Sequence, residues 1–253
     1  MDLGLKGLKA VVTGGTKGIG RAIANTLAAE GAHVAFCARN AAEVEQTVKD
    51  FSAHGVQVLG RVVDVGDAAA LAGFVAEVGK TWGGIDIVVA NVSALAIPNE
   101  EANWQKTFEV DMMGTVRLVN AAMPFLEASA NASIVTISSV SGREIDFASG
   151  PYGAFKAAII HYTQGLAYHL AGKKIRANTV SPGNTYFKGG VWEQIEHGNP
   201  ELFKMALGLN PTGRMGTPQE MANAAVFLAS PAASFITGTN LVVDGALTKG
   251  VQF

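Results

Sequence analysis

Short apolar runs and amphipathic runs alternate along almost the whole chain. The apolar runs predict buried strands at residues 8–13, 33–38, 56–63, 85–90, 134–139, 175–180 and 240–243. Between them, apolar positions with helical spacing predict helices at residues 21–30, 41–54, 67–82, 103–126, from 151 onward and 218–229. Such alternation is typical of a parallel sheet with helices on both faces. The pattern therefore predicts an α/β, doubly wound fold.

Two stretches depart from this alternation. Ser181-Pro182-Gly183 is expected to end the sixth strand. Residues 184–216 keep no steady period. They follow the sheet edge where open α/β folds bind ligands, so we expect them to cover a substrate. No linker interrupts the chain, and one domain over residues 1–253 is predicted.

Composition limits the range of partners. Of the 253 residues, 49% are hydrophobic and 16% are charged, which implies a large core and spare apolar surface for self-association. A net charge of −2 gives no reason to expect nucleic acid or an anionic membrane as a partner. We see no signal peptide and no apolar stretch that could span a bilayer. The single Cys37 fits a reducing compartment and should be a packed apolar residue. A soluble, cytoplasmic protein is expected.

A glycine-rich turn joins the first strand to the first helix. Gly14, Gly18 and Gly20 would let the backbone approach a pyrophosphate at the helix N-terminus. The spacing is not G-x-G-x-x-G, and no Gly-Lys-Ser/Thr follows, which disfavours a nucleoside-triphosphate loop. Taken alone, the turn could equally be a tight connection with no ligand.

The end of the second strand indicates which cofactor is bound. NAD sites usually carry an acidic residue about 20 residues past the glycines. Here that position is Ala38, followed by Arg39, and Lys17 lies within the glycine loop. Either cation alone would be an ordinary surface charge, but two cations and no carboxylate suit a 2′-phosphate. The sequence therefore predicts NADP(H).

The candidate catalytic residues are Ser139, Tyr152 and Lys156. Tyrosine and lysine four residues apart lie on one helix face. A tyrosine hydroxyl is a poor base, but a nearby ammonium and a positively charged nicotinamide favour the phenolate. Ser139, expected at the carboxyl end of its strand, could hold the same substrate oxygen. The Tyr-x-x-x-Lys pattern is common on solvated helices, so its weight comes from the glycine loop upstream.

Together these residues resemble the short-chain dehydrogenase/reductase family over essentially the whole chain. The matching motifs are Thr13-Gly14-x-x-x-Gly18-x-Gly20, Asp64, Asn91, Ser139, Tyr152-x-x-x-Lys156 and Pro182-Gly183. The resemblance implies a single Rossmann-like domain with a seven-stranded parallel sheet. It also implies that Tyr152 is the general acid/base and that Lys156 binds the nicotinamide ribose and favours the phenolate.

The same resemblance extends the cofactor site. Asp64 is expected at the adenine, Asn91 against the ribose and Thr185 at the nicotinamide carboxamide. The full set of expected cofactor-binding residues is Gly14, Thr16, Lys17, Gly18, Ile19, Gly20, Arg39, Asp64, Val65, Asn91, Tyr152, Lys156 and Thr185.

Three features of the sequence depart from the family pattern. The family's Asn-Asn-Ala-Gly is replaced by Ala90-Asn91-Val92-Ser93. The asparagine of the family's water relay is replaced by Asp111. We keep Asp111 as a catalytic candidate, because its oxygen could still accept a hydrogen bond from a water molecule that relays protons to Lys156. A threonine that often grips the carboxamide is replaced by Phe187.

The substrate is the least determined part. Apolar residues of segment 184–216 either line a pocket or pack the cover; they are Phe187, Trp192, Phe203, Met205 and Leu207. We take Ser139, Tyr152, Phe187 and Trp192 as substrate-binding candidates. The nearest subgroup resembles 3-oxoacyl-carrier-protein reductases, which suggests 3-oxoacyl thioesters. The alternatives are a dehydrogenase of a cyclic or aromatic diol or of a steroid-like alcohol, and a non-catalytic dinucleotide-binding regulator.

Self-association is implied in more detail by the resemblance. The helices from Asn103 and from Pro151 resemble those of a four-helix dimer interface, and residues 240–247 resemble a second contact. A homotetramer or dimer is therefore expected. The five histidines show no metal-ligand spacing, and we expect His161 and His169 on an oligomer face rather than in a metal site.

Overall fold

A seven-stranded parallel sheet runs through the centre of the computed structural model, which describes residues 1–251. Gln252 and Phe253, the end of the predicted domain, lie outside the described residues. The strands are β1 (Lys9–Thr13), β2 (His33–Ala38), β3 (Val58–Val62), β4 (Ile87–Ala90), β5 (Ser133–Ile137), β6 (Arg176–Pro182) and β7 (Asn240–Val243). Their spatial order is β3-β2-β1-β4-β5-β6-β7, and every neighbouring pair is parallel. The predicted doubly wound α/β fold is confirmed.

Helices cover both faces of the sheet. They are α1 (Gly18–Ala29), α2 (Ala41–Ser52), α3 (Ala68–Trp82), α4 (Glu101–Thr107), α5 (Gly114–Glu127), α6 (Pro151–Leu170), α7 (Val191–Gly198), α8 (Pro200–Leu209) and α9 (Pro218–Ala229). Apolar residues of α1, α2 and α9 form the core on one face, and those of α3, α5 and α6 form the core on the other. Because both faces are covered, β1, β4 and β5 are buried along almost their whole length.

Local capping explains why several predicted ends were accurate. Thr217 and Glu220 form a reciprocal capping box at the start of α9, which begins and ends as predicted. Asp67 caps α3 by accepting a hydrogen bond from Ala70 N, and Gly83 ends that helix in a left-handed conformation with φ +68°.

The strand order creates a crevice at the carboxyl edge of the sheet. From β1 the chain runs outward through β2 and β3, then returns to place β4 on the other side of β1. Ligands of open α/β sheets bind at such a switch point. The loops after β1, β4, β5 and β6 therefore meet at this edge.

Three predicted stretches are corrected. The expected helix 103–126 runs from Glu101 to Glu127 and contains a π-helical segment, Phe108–Met113, between α4 and α5. The sixth strand continues through Ser181 to Pro182, because a last residue that lacks an N–H can still pair with Val243 of β7. Segment 184–216 holds α7 and α8; Asn199 caps the second of these by accepting from Leu202 N.

Candidate active site

A cleft of about 590 Å³ opens at the carboxyl edge of the sheet. It brings together the predicted site residues Gly14, Thr16, Lys17, Gly18, Ile19, Gly20, Arg39, Asp64, Val65, Asn91, Ser139, Tyr152, Lys156, Thr185, Phe187 and Trp192. Of the residues predicted for catalysis, cofactor binding or substrate binding, only Asp111 is absent from the wall, because it is fully buried behind the cleft. Phe203, Met205 and Leu207 of the cover do not line the cleft.

The glycine loop is built for close approach. Gly14 and Gly18 have φ of +72° and +51°, a region that favours glycine. At Gly20, a Cβ would lie 2.3 Å from the Gly14 carbonyl oxygen and 2.3 Å from Asn91 Nδ2. Helix α1 begins at Gly18, so its free N–H groups and its dipole face the cleft. This cradle fits the phosphates of a dinucleotide.

Asn91 ties the loop to the sheet. Its Nδ2 donates to Thr13 O at 3.0 Å, and its backbone N–H donates to Thr13 Oγ1 at 3.1 Å. These bonds fix the end of β4 against the end of β1. The side chain also lines the cleft, where the family resemblance expects the cofactor ribose.

The end of the cleft expected to hold the 2′-phosphate contains a carboxylate that the sequence analysis missed. Glu43 lines the cleft, pairs with Lys17 Nζ at 2.7 Å and accepts from Thr16 Oγ1 at 3.2 Å. Arg39 is exposed and also lines the cleft. The sequence pattern places the expected acid at Ala38, the last residue of β2, whereas Glu43 reaches the site from the first turn of α2.

The remaining cofactor candidates are mostly held by their own loops. Asp64 Oδ1 accepts from Gly66 N at 2.9 Å, which fixes the turn after β3. Val65 is buried and packs into the core. Thr185 Oγ1 donates to Gly183 O at 3.0 Å, and its backbone forms a parallel bridge with Gly216. The segment that follows β6 is thereby anchored beside the cleft.

Ser139 lies just beyond its strand rather than in it. β5 ends at Ile137, and Ser139 caps the short 3₁₀ turn 140–142. That turn packs closely on α6, since a Cβ at Gly142 would lie 2.7 Å from the carbonyl carbon of Lys156. The position holds the hydroxyl at the cleft wall beside the helix of Tyr152 and Lys156.

Tyr152 and Lys156 share the cleft-facing side of α6. Lys156 Nζ lies 5.6 Å from the centre of the Tyr152 ring. The lysine is 2% exposed, and Nζ donates to Ile137 O at 3.1 Å. Ser138 Oγ donates to the backbone oxygen of Lys156 at 2.8 Å, which ties α6 to the end of β5.

Asp111 lies next to Lys156. It lies in the π-helical segment, is completely buried, and places Oδ1 3.4 Å from Lys156 Nζ. Its Oδ2 accepts from Ala94 N at 2.7 Å. Oδ1 has no hydrogen bond of good geometry among the described residues. Asp111 thus contacts Lys156 directly while remaining off the cleft surface.

Two aromatic residues of the cover reach the cleft in different ways. The Phe187 ring lies against Gly18 and Gly190, on the side of the glycine loop. Trp192 is almost buried and packs edge-to-face on Phe147, with ring centres 5.7 Å apart. Phe203 packs edge-to-face on Trp192 with ring centres 6.5 Å apart, within the apolar cluster of the cover. Trp192 and Phe147 therefore form an aromatic wall of the cleft.

Residues 1–251 can also be described for metal-ligand groups, long apolar helices and the single cysteine. No group of three His, Cys, Asp or Glu side chains there is placed to hold a metal ion. No helix in this range combines the length and apolar character needed to cross a membrane. Cys37 is fully buried, and that burial raises the pKa of its thiol to about 12, so it is an inert packed residue.

Comparison with known proteins gives extensive matches. A family model described as Enoyl-(acyl carrier protein) reductase matches residues 14–248. Isoepoxydon dehydrogenase patN of Penicillium expansum is 41% identical over 260 residues, covering 100% of this chain and 99% of that protein. The 2,3-dihydro-2,3-dihydroxybenzoate dehydrogenase of Bacillus subtilis (strain 168) is 33% identical over 98% of both chains. L-Sorbose reductase of Gluconobacter frateurii, solved with NADPH and L-sorbose, superposes with a TM-score of 0.90 at 29% identity and covers 99% of this chain and 100% of its own.

Proposed function

We propose that this chain, which belongs to the short-chain dehydrogenase/reductase family, interconverts a ketone and a secondary alcohol with NADP(H). The observation that carries the proposal is the placement of Ser139, Tyr152 and the buried Lys156 in the same cleft as the glycine loop. The bound nicotinamide would supply or accept the hydride.

The protein's own residues would handle the proton. Tyr152 gives a proton to the ketone oxygen during reduction and removes it from the alcohol during oxidation. The Lys156 ammonium, held by Ile137 O and by Asp111, favours the phenolate form of the tyrosine. Ser139 donates a hydrogen bond to the same substrate oxygen. This intact set disfavours the alternative of a non-catalytic regulator.

Preference for NADP(H) would come mainly from Arg39. A hydrogen bond to a charged group contributes about 1.5–3 kcal/mol, which corresponds to roughly 10- to 10²-fold in affinity. Lys17 adds less than a free lysine would, because Glu43 already pairs with it. We therefore expect a clear but moderate preference for NADP(H) over NAD(H).

The substrate proposal is an oxygenated ring ketone or the matching alcohol. Two relatives carry names that refer to cyclic compounds, isoepoxydon and a dihydroxybenzoate. The Phe147–Trp192 wall offers aromatic faces on which a ring can pack. The 3-oxoacyl thioester remains the competing substrate, and the description of the matching family model favours an acyl carrier.

The test is a panel of ketones whose reduction is monitored by the loss of NADPH absorbance. It contains hydroxylated cyclic ketones, a steroid ketone and a 3-oxoacyl thioester, with Tyr152→Phe as the inactive control. The proposal expects the highest kcat/KM on a hydroxylated cyclic ketone, and highest kcat/KM on the steroid ketone would favour the steroid-like alternative. Highest kcat/KM on the thioester would favour the acyl-carrier assignment, and NADPH binding without turnover of any ketone would favour a regulator.

We also propose self-association through the α4–α6 face. Trp104 and Phe108 are 39% and 46% exposed, and both pack on Phe155 of α6. Exposed aromatic side chains on neighbouring helices support the dimer face implied by the family resemblance. Light scattering after gel filtration should give at least a dimer. A monomer at micromolar concentration would contradict this part of the proposal.

A further inference from the structure

A chain of hydrogen bonds extends from Ser139 into the loop that precedes α6. Ser139 Oγ donates to Ser141 Oγ at 3.3 Å and accepts from Ser141 N at 3.2 Å. Ser141 Oγ in turn donates to Asp146 Oδ2 at 2.6 Å. Both serines line the cleft, and Asp146 is half-buried next to them.

Asp146 fixes the direction of these hydrogen bonds. An ionised carboxylate only accepts hydrogen bonds, so the single proton of the Ser141 hydroxyl is committed to Asp146. The lone pairs of Ser141 Oγ are then the only part of that hydroxyl open to the cleft. Ser141 is thus an acceptor held 3.3 Å from Ser139, which is the donor expected to hold the reacting oxygen.

The loop that carries Ser141 and Asp146 packs tightly against α6. Asp146 Oδ1 accepts from Ala148 N at 2.8 Å. At Gly153 of α6, a Cβ would lie 2.8 Å from Ala148 O and 2.9 Å from Ser141 O. The acceptor is therefore positioned before any substrate enters.

The apolar surroundings of Ser139 and Ser141 restrict where a polar group of the substrate can bind. Val140, Phe147 and Trp192 supply apolar surface to the same part of the cleft. A polar substituent placed against that surface would lose hydration without gaining a partner. Only a hydroxyl close to the reacting oxygen can use the Ser141 acceptor.

We propose that Ser141, oriented by Asp146, accepts a hydrogen bond from a hydroxyl on the carbon next to the reacting carbon. The substrate is then an α-hydroxyketone in the direction of reduction and a vicinal diol in the direction of oxidation. When such a substrate binds, the Ser139 proton turns from Ser141 to the reacting oxygen. The neighbouring substrate hydroxyl takes its place as the donor to Ser141. This inference rests on the proposed function and narrows its substrate class.

The test uses matched ketones: 2-hydroxycyclohexanone, 2-methoxycyclohexanone and cyclohexanone. The hydroxyl compound can donate to Ser141, whereas the methoxy compound cannot. We expect kcat/KM with NADPH to be about 2- to 12-fold higher for the hydroxyl compound than for either of the others, the worth of one net hydrogen bond. Equal kcat/KM for all three would overturn this inference alone. Failure to reduce any ketone of the larger panel would overturn the proposed function.

Two variants separate recognition from loop structure. Ser141→Ala removes the acceptor, so the hydroxyl-to-methoxy ratio of kcat/KM should fall to about one. In Asp146→Asn, the amide oxygen must face Ala148 N, and the amide nitrogen then donates to Ser141 Oγ. That reversal frees the Ser141 proton to point into the cleft, where it can be donated to a hydroxyl or a methoxy oxygen alike, so the ratio should fall to about one, as in Ser141→Ala.

The matched control is Glu144→Gln. Glu144 lies in the same loop, but its carboxylate accepts a hydrogen bond from Gly250 N rather than from Ser141. Its ratio should equal that of the unaltered protein. A fall in this control as large as in Asp146→Asn would assign the effect to the loop and overturn the inference. Ratios are compared because a general loss of activity in a variant cancels from them.

Discussion

Replacing Asp111 with asparagine is expected to move the pH profile of alcohol oxidation to lower pH. The side-chain shape is retained, and the asparagine oxygen can still accept from Ala94 N. What disappears is a negative charge 3.4 Å from Lys156 Nζ. That charge opposes the stabilisation which the ammonium gives to the Tyr152 phenolate. Without it, the phenolate forms at lower pH.

The size of the shift follows from the distances. The Lys156 Nζ lies 3.4 Å from Asp111 Oδ1 and 5.6 Å from the Tyr152 ring centre, so the carboxylate oxygen is at most about 9 Å from the ring. At about 9 Å, a unit charge acts on another with about 2 kcal/mol at an effective dielectric constant of 20, and with about 0.5 kcal/mol in water. Because 9 Å is the largest separation that these distances allow, the rising limb should move by at least about 0.3 pH units with the dielectric constant of water, and by at least about 1.4 pH units with the effective value of 20.

The assay is kcat/KM for oxidation of cyclohexane-1,2-diol with NADP⁺, measured across pH, since this parameter reports the free-enzyme base. Glu109→Gln is the matched control, because Glu109 lies in the same π-helical segment but pairs with Arg117. Its limb should not move. An unmoved limb in Asp111→Asn would remove Asp111 from the proton machinery, and a move to higher pH would show that the sign of its influence is wrong.

Three further predictions follow from the cofactor site and the core. Ala38→Asp combined with Arg39→Ser should reverse the preference from NADP(H) to NAD(H), which kcat/KM for both cofactors measures; equal values in the unaltered protein would refute the assignment of Arg39. Glu43→Gln should release Lys17 and tighten NADPH binding by about 1.5- to 5-fold, the worth of an exposed ion pair, without tightening NADH binding. Cys37 should resist alkylation in the native protein and react only after unfolding, as mass spectrometry can show.

Elements with strong local signals were predictable from sequence. Helix α9 has a capping threonine, a proline at its first position and a glutamate three residues after the cap, and its bounds were predicted correctly. Strands β2 and β7 were also bounded correctly. The helices of the cover were not, although Asn199-Pro200 is a capping signal for α8. Their apolar residues pack into a small separate cluster, which weakens the periodic pattern.

The candidate site divides in the same way. Ser139, Tyr152 and Lys156 meet where the motif spacing predicted, because strand order and helix period bring them to one edge. Glu43 and Asp146 were missed. Glu43 reaches the cleft from the first turn of α2, where it pairs with Lys17. Asp146 contacts Ser141 through a loop conformation that no periodicity encodes. The contact of Asp111 with Lys156 was foreseen only as an influence on a relay, and the π-helical segment that turns it inward has no sequence signal that we identified.

The central claim, that Tyr152 carries the proton, is tested most directly by Tyr152→Phe. The variant keeps the ring beside Lys156 and removes only the hydroxyl. The affinity for NADPH, measured by cofactor fluorescence, should stay within a few-fold of that of the unaltered protein. On the best ketone of the panel, kcat should fall by about 10²–10⁴-fold or more. A variant that binds NADPH normally and keeps a tenth of the original kcat would contradict the account.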